Sequence, residues 1–283
     1  MTVKLIIAND KGGVGKSTLA QMCVLHVAKT FREVRAVEYD RQPKLGRFFD
    51  KGVVQTFSIA PDWETQIANP TRLAEYWDPM IKWMSVKRPL VADFGAQVWE
   101  YFAGWAQDSS LADLVDTSRI VVLVPVTADL EAISAARRIV AVAPDLMPKA
   151  RVVLLACDKD GEVALLQRHP AYAELRTLAE QRGVPFLRMP VLKAEGYPVL
   201  AAFAMRFDAI VRATPKEVLA KTGMPPATAV RTIKAVRKWV AEMDSLLEGI
   251  LGTARPVRKA APQPEAGQDA RAAATTVPEP AAP

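Results

Sequence analysis

Apolar residues along the chain fall into short runs, separated by longer stretches in which they recur every three or four positions. The runs cover residues 3–8, 34–39, 90–93, 120–125, 152–156 and 185–189. They are nearly continuous and rich in Val, Ile and Leu, as strands buried on both faces of a parallel sheet are. The stretches between them predict helices over 16–30, 71–84, 98–107, 130–143 and 171–182. Asn69-Pro70 is a start signal for the second helix, and Gly183 a stop for the last. Alternation of this kind predicts an α/β fold, a doubly wound and mostly parallel sheet whose ligands bind at the C-terminal ends of the strands.

From Gly252 the pattern stops. Of the last 32 residues 10 are Ala and 6 are Pro, and Val257 and Val277 are the only large apolar side chains. Such a segment cannot bury enough surface to offset its ordering entropy, so 252–283 is expected to be a disordered tail. Half of the 283 residues are apolar, ample for one sizeable core. No apolar run approaches the ~18 residues of a membrane span. The chain enters a strand at once, without the look of a secretory leader. Cys23 and Cys157 form no metal motif and no disulfide framework, and are expected to pack as small apolar groups in a reducing cytoplasm.

Candidate chemistry begins where the first run meets the first helix, at Asp10-Lys11-Gly12-Gly13-Val14-Gly15-Lys16-Ser17-Thr18. Glycines let backbone N–H groups turn inward around an anion, and a helix N-terminus adds partial positive charge there. In a loop of this form Lys16 reaches the β- and γ-phosphates of a nucleotide, and the Ser17 hydroxyl ligates Mg²⁺. Asp93, the carboxylate that ends the buried run 90–93, is placed to hold the same ion through water.

The general loop reads G-x-x-x-x-G-K-[ST]. Here Asp10 stands at its first glycine, and a lysine, Lys11, directly precedes the glycine pair. Residues 10–17 therefore resemble the deviant Walker A loop of the ParA/MinD family, K-G-G-x-G-K-[ST]. The resemblance implies an ATP-dependent homodimer around two ATP–Mg²⁺, each Lys11 reaching the partner's γ-phosphate. It implies that Gly12, Gly13, Val14, Gly15 and Lys16 cradle the phosphates and that Thr18 contacts the α-phosphate. It puts Ser17 and Asp93 at the metal, Asp40 beside the attacking water, Glu38 at the family's first acid and Gly95 in the second switch. Catalysis would rest on Lys11, Lys16 and Asp40, and would be slow until a protein partner orders the site. In outline the resemblance covers about residues 1–200. Glu195-Gly196-Tyr197-Pro198-Val199 resembles the G-x-P segment packed over the nucleotide, and Pro125-Val126-Thr127 the P-x-[TS] turn, where Thr127 is expected to cap a helix. The family's adenine-reading Asn has no counterpart, since Ala156-Cys157-Asp158 takes its place.

Charge adds a second feature. Between Arg206 and Lys238 eight Lys/Arg face two acids, an excess equal to the +6 of the whole chain. That favours a phosphate backbone and salt-sensitive binding. Thr214-Pro215 opens one helix, Gly223 breaks it, and a second begins near Pro226 with Ala229, Val230, Ile233, Val236, Val240 and Met243 as its apolar stripe. The pattern resembles a helix-turn-helix, with Thr228, Arg231, Thr232 and Lys234 facing DNA and Arg237 and Lys238 beside them. A non-specific basic surface, two plain closing helices, or a membrane-surface helix using Leu246, Leu247, Ile250 and Leu251 are the alternatives.

Together with the resemblance, the pattern implies an ATPase domain over 1–205, a basic helical module over 206–251 and the tail. The expected function is a dimerising, DNA-binding ATP switch in plasmid or DNA partition or conjugative transfer, cytoplasmic and in some states on the nucleoid. An ATP-controlled transcriptional regulator and a small-molecule enzyme of the amidoligase or dethiobiotin-synthetase type are the alternatives. The aromatic helix 98–107, with Val98, Tyr101, Phe102 and Trp105 on one face, reads as core or interface.

Overall fold

Strand β1 (Lys4–Ile7) lies at the centre of a seven-stranded sheet in the computed structural model, which describes residues 2–50, 52–58, 69–158 and 169–252. The others are β2 (Arg35–Asp40), β3 (Val54–Ser58), β4 (Leu90–Phe94), β5 (Ile120–Val126), β6 (Arg151–Cys157) and β7 (Phe186–Met189). Every pairing is parallel, and the order is β3-β2-β4-β1-β5-β6-β7. After β1 the chain crosses to β2 and out to β3, returns to β4 between β2 and β1, and then winds outward on the other side through β5, β6 and β7, so the segment after β1 opens into the crevice where the direction reverses.

The helices are α1 (Lys16–Phe31), α2 (Pro70–Ser85), α3 (Val98–Asp108), α4 (Leu111–Leu114), α5 (Leu130–Leu146) and α6 (Pro170–Gln181). They continue with α7 (Tyr197–Ala202), α8 (Phe207–Arg212), α9 (Pro215–Thr222) and α10 (Pro226–Leu251). Because strand side chains alternate, Leu5 and Ile7 of β1 join one core layer with α1, α8 and α10, while Ile6 joins the other with α2, α3, α5 and α6. The stretch 206–251 is therefore packed into the core through Phe207, Ile210, Val218, Ile233, Val236, Trp239, Met243, Leu247 and Ile250, within a compact unit of residues 1–253. Burial of Leu247 and Ile250 removes half of the apolar face that a membrane-surface helix would need.

Local chemistry sets the boundaries. The Asn69 side chain accepts from the Thr71 and Arg72 N–H groups to start α2, and Thr214 and Glu217 form a reciprocal capping box at α9. Gly183 and Gly223 take left-handed φ values of 65° and 71° after α6 and α9. His169 caps α6, and buried His26 pairs with Asp244 of α10 at 2.9 Å. Both cysteines are buried. Tyr39 is stacked between Phe57 and Trp77, at 4.7 and 4.5 Å, and Val98, Phe102 and Trp105 of α3 pack into the same layer.

Three expectations change. β3 has no counterpart among the predicted strands: Val54-Gln55-Thr56-Phe57-Ser58 pairs only with β2 at the sheet edge, and edge strands need no apolar run. The cap of α5 is Asp129, whose carboxylate accepts from the Glu131 and Ala132 N–H groups, and not Thr127. In α10 Val230 is 50% exposed whereas Thr232 is buried, so the apolar stripe omits the first and includes the second. The expected tail lies, beyond Gly252, outside the described residues.

Candidate nucleotide site

The segment between β1 and α1 forms the floor of a cavity of about 610 Å³ at the C-terminal edge of the sheet. Its wall contains Gly12 to Thr18, Asp40, Gln97, Cys157, Asp158, the stretch 189–192, Tyr197 and Trp239. That size suits a nucleotide-sized ligand. Gly13 and Gly15 have φ values of 80° and 94°, a region that side-chain-bearing residues rarely adopt. Gly15 stands at the N-cap of α1 with no side-chain cap, so the first N–H groups of that helix are left facing the cavity.

Lys16 is buried, and its ammonium donates to the Asn9 and Lys11 carbonyls, both at 2.7 Å. Burial lowers its pKa, partly offset by Asp93, Asp40 and Asp10. Asn9 braces the loop from below: its amide donates to the Pro125 and Ala132 carbonyls, and its side-chain oxygen accepts from the Lys11 N–H.

Asp93 is the most unusual group. It is 1% exposed, and its carboxylate has the Ser17 hydroxyl beside it but no well-formed hydrogen bond. Burial pushes its pKa up to about 7; the neighbouring Ser17 hydroxyl and Lys16 pull it down, and Glu38 and Asp40 push it up. A buried carboxylate without a partner is costly unless something completes it. A hydroxyl beside a buried carboxylate, as at Ser17 and Asp93, is a pair of oxygen donors that would suit a hard cation keeping most of its water. Among the described residues no cluster of three or more His, Cys, Asp or Glu is placed to hold a metal ion.

The remaining acids divide in role. Asp40 lines the cavity, its carboxylate accepts from the Gln42 N–H at 2.9 Å, and a Cβ on Gly95 would lie 2.5 Å from its carboxyl carbon. Asp40 and the segment after Asp93 are thus in direct contact. Glu38 is fully buried and accepts from the backbone N–H groups of Lys44, Leu45 and Gly46, so it shapes the turn after β2. Lys11 sits outside the cavity wall, paired with Glu131 at 2.5 Å and Asp129 at 3.4 Å, two acids at the start of α5. That pairing with Glu131 raises its pKa.

The cavity also holds residues that the motifs did not point to. Trp239, in the middle of α10, lines it and donates its indole N–H to the Pro190 carbonyl at 2.9 Å. The buried Thr232 hydroxyl accepts from the Gly196 N–H, so the G-x-P segment rests on α10. Gly196 is needed there, since a Cβ would come within 2.6 Å of Met224 and Thr232. No signal in the sequence ties a tryptophan at 239 to a loop at 190, and the apolar stripe read for this helix left 239 out.

The four expected DNA contacts part company. Arg231, Lys234 and Lys238 are exposed and share one face of α10. Arg237 instead donates to the Val211 and Ala213 carbonyls, 2.8 and 3.3 Å away, and closes the end of α8. Thr232, being buried under Gly196, does not face outward.

No protein-family model matches the chain, and no curated protein matches it in sequence. Solved structures do resemble it. The septum site-determining protein MinD from Pyrococcus horikoshii OT3, complexed with Mg-ADP, is 18% identical with a TM-score of 0.44, covering 89% of this chain and 99% of that one. The MinD cell division protein of Aquifex aeolicus is 15% identical with a TM-score of 0.42, covering 85% and 97%. A plasmid partition protein from Borrelia burgdorferi is 11% identical with a TM-score of 0.41, covering 72% and 96%.

Proposed function

We propose that the chain is a ParA/MinD-type ATPase, a switch that dimerises around ATP–Mg²⁺, binds DNA in that state and resets on hydrolysis. The observation that carries this reading is the cluster of Lys16, Ser17 and the unpartnered buried carboxylate of Asp93 beneath a glycine loop at the centre of a parallel sheet. The loop N–H groups and Lys16 stabilise charge on the transferring phosphoryl group, Ser17 and Asp93 hold the metal, and Asp40 positions water. A Mg²⁺ held by Ser17 and Asp93 would supply positive charge to offset the charge that develops on the phosphoryl oxygens.

Lys11 supports the dimer. It lies at the rim, held only by side chains at the surface, and is able to leave Asp129 and Glu131 for a second copy. Gly12 supports it too. Its φ is not in the left-handed region and a Cβ there would meet nothing within 4 Å. The isolated chain therefore has no need of glycine at 12, whereas a second subunit approaching the loop does. Gly12→Ala is expected to fold with an unchanged melting temperature and to lose ATP-dependent dimerisation by at least about tenfold, read by light scattering. Equal dimerisation of variant and wild type would remove this support.

DNA binding rests on Arg231, Lys234 and Lys238 on one face of α10, the helix that also lines the nucleotide cavity through Trp239. Partition or conjugative transfer is the cellular role this suits. The decisive experiment is duplex-DNA binding with ADP and with a slowly hydrolysed ATP analogue, at two salt concentrations, for wild type and Lys11→Ala. Tight, salt-sensitive binding by wild type only with the analogue is expected, and Lys11→Ala should bind nucleotide yet neither dimerise nor hold DNA. Absence of DNA binding in both states would point to the small-molecule enzyme reading.

A further inference from the structure

Helix α3 begins in an unusual way. Its N-cap residue, Gln97, has a left-handed φ of 65° and offers no side-chain cap. The exposed N–H groups of a helix start need acceptors. Here they come from the phosphate loop, 89 residues earlier: Asp10 Oδ1 accepts from the Trp99 N–H at 3.0 Å, and the Asp10 carbonyl accepts from the Gln97 N–H at 3.2 Å. The Asp10 side chain is only 7% exposed, and its second oxygen is buried without a hydrogen bond, the Arg138 guanidinium lying 3.9 Å away. The same guanidinium pairs with Glu100 of α3 at 3.1 Å. Asp10, Glu100 and Arg138 border a second hollow of about 370 Å³ beside Lys11.

We infer that Asp10, standing where the general loop has glycine, is a positioning residue that caps α3 from the loop and makes the loop and the segment after Asp93 move as one body. The inference rests on the proposed switch only for what the coupling transmits; the cap itself does not depend on it. A glycine at position 10 would leave the Trp99 N–H without that acceptor and let α3 start independently of the loop. The residues between Asp93 and α3 include Gly95, which touches Asp40, so the cap also bears on where Asp40 stands. Arrival of a phosphate in the loop would then be felt at α3 and its aromatic layer, without a new contact there.

The test is hydrogen exchange on the full chain for wild type, Asp10→Gly and Asp10→Asn, first without nucleotide. Asp10→Gly should speed exchange of amides 97–101 by roughly three- to thirtyfold, the range expected for a lost helix cap, while α6 is unchanged. Asp10→Asn keeps an acceptor at the same place and should stay within about threefold of wild type at those amides. Glycine and asparagine variants that behave alike, or a glycine variant like wild type, would overturn the assignment. A slowly hydrolysed ATP analogue, added at a concentration that saturates each protein, should slow exchange at 97–101 in wild type and Asp10→Asn but not in Asp10→Gly. If wild type binds no nucleotide, the switch reading fails, and the nucleotide-free comparison still decides the cap.

Discussion

Lys16→Ala is expected to lower affinity for nucleoside triphosphates by at least about a hundredfold while leaving the fold intact. The size follows from the interaction lost: hydrogen bonds to charged groups contribute about 1.5–3 kcal/mol each, and about 2.7 kcal/mol is two decades in affinity. The intact fold follows from two opposed effects in the free protein. The ammonium donates to the Asn9 and Lys11 carbonyls, and those bonds are lost. The same ammonium is buried, with its pKa lowered chiefly for that reason, so its removal also relieves a desolvated charge. A lysine whose folded pKa lies below its unfolded value costs stability at neutral pH, and that cost disappears in the alanine variant. Titration with a fluorescent nucleotide and a thermal melt separate the two. Nucleotide binding near wild-type strength would show that the loop does not cradle phosphates; a melt lower by ten degrees or more would show that Lys16 is chiefly structural.

How much of this was legible in the sequence depends on how far apart the interacting residues lie. The glycine loop between β1 and α1 is a local device: its glycines, Lys16 and Ser17 are neighbours in the chain, so their order alone brings them together. Asp93 was legible because a buried apolar run ending in a carboxylate is unusual. Strand β3 was not, because an edge strand with Gln55, Thr56 and Ser58 has no apolar pattern to betray it. Thr232 and Arg237 look like surface residues of a basic helix. Their roles under Gly196 and at the end of α8 arise only once α10 is laid against α1 and the segment after β7. The same holds for Trp239 at the cavity wall and for Asp10 at the start of α3, where each partner is tens of residues away. Asp129 capping α5 in place of Thr127 is a smaller case. Both are good capping types two residues apart, and which one serves is decided by where the helix starts after β5.

Asp93→Asn is expected to stabilise the free protein above neutral pH and to abolish its dependence on Mg²⁺. The carboxyl is buried, and burial raises its pKa from 3.8 to about 7. Between those values the folded state keeps a proton that the unfolded state has lost, so stability falls as pH rises through the window and levels off above it. Fully developed, the penalty is of order 4 kcal/mol, roughly 1.4 for each unit of the shift from 3.8 to about 7. An amide carries no such penalty, although its buried N–H₂ needs an acceptor and offsets part of the gain. The wild-type melting temperature should therefore drop between pH 5 and pH 8, and that of Asp93→Asn should change much less. With nucleotide present, Mg²⁺ should raise the wild-type melting temperature and leave the variant's almost unchanged, because the ion completes the carboxylate that the variant lacks. Hydrolysis in the variant should fall at least about a hundredfold. Parallel pH profiles for the two proteins would mean that Asp93 is already satisfied in the free fold, and equal Mg²⁺ responses would remove it from the metal site. If Mg²⁺ and nucleotide complete this carboxylate, the free protein gives up stability that loading restores, and that difference is what would make the proposed switch respond to nucleotide.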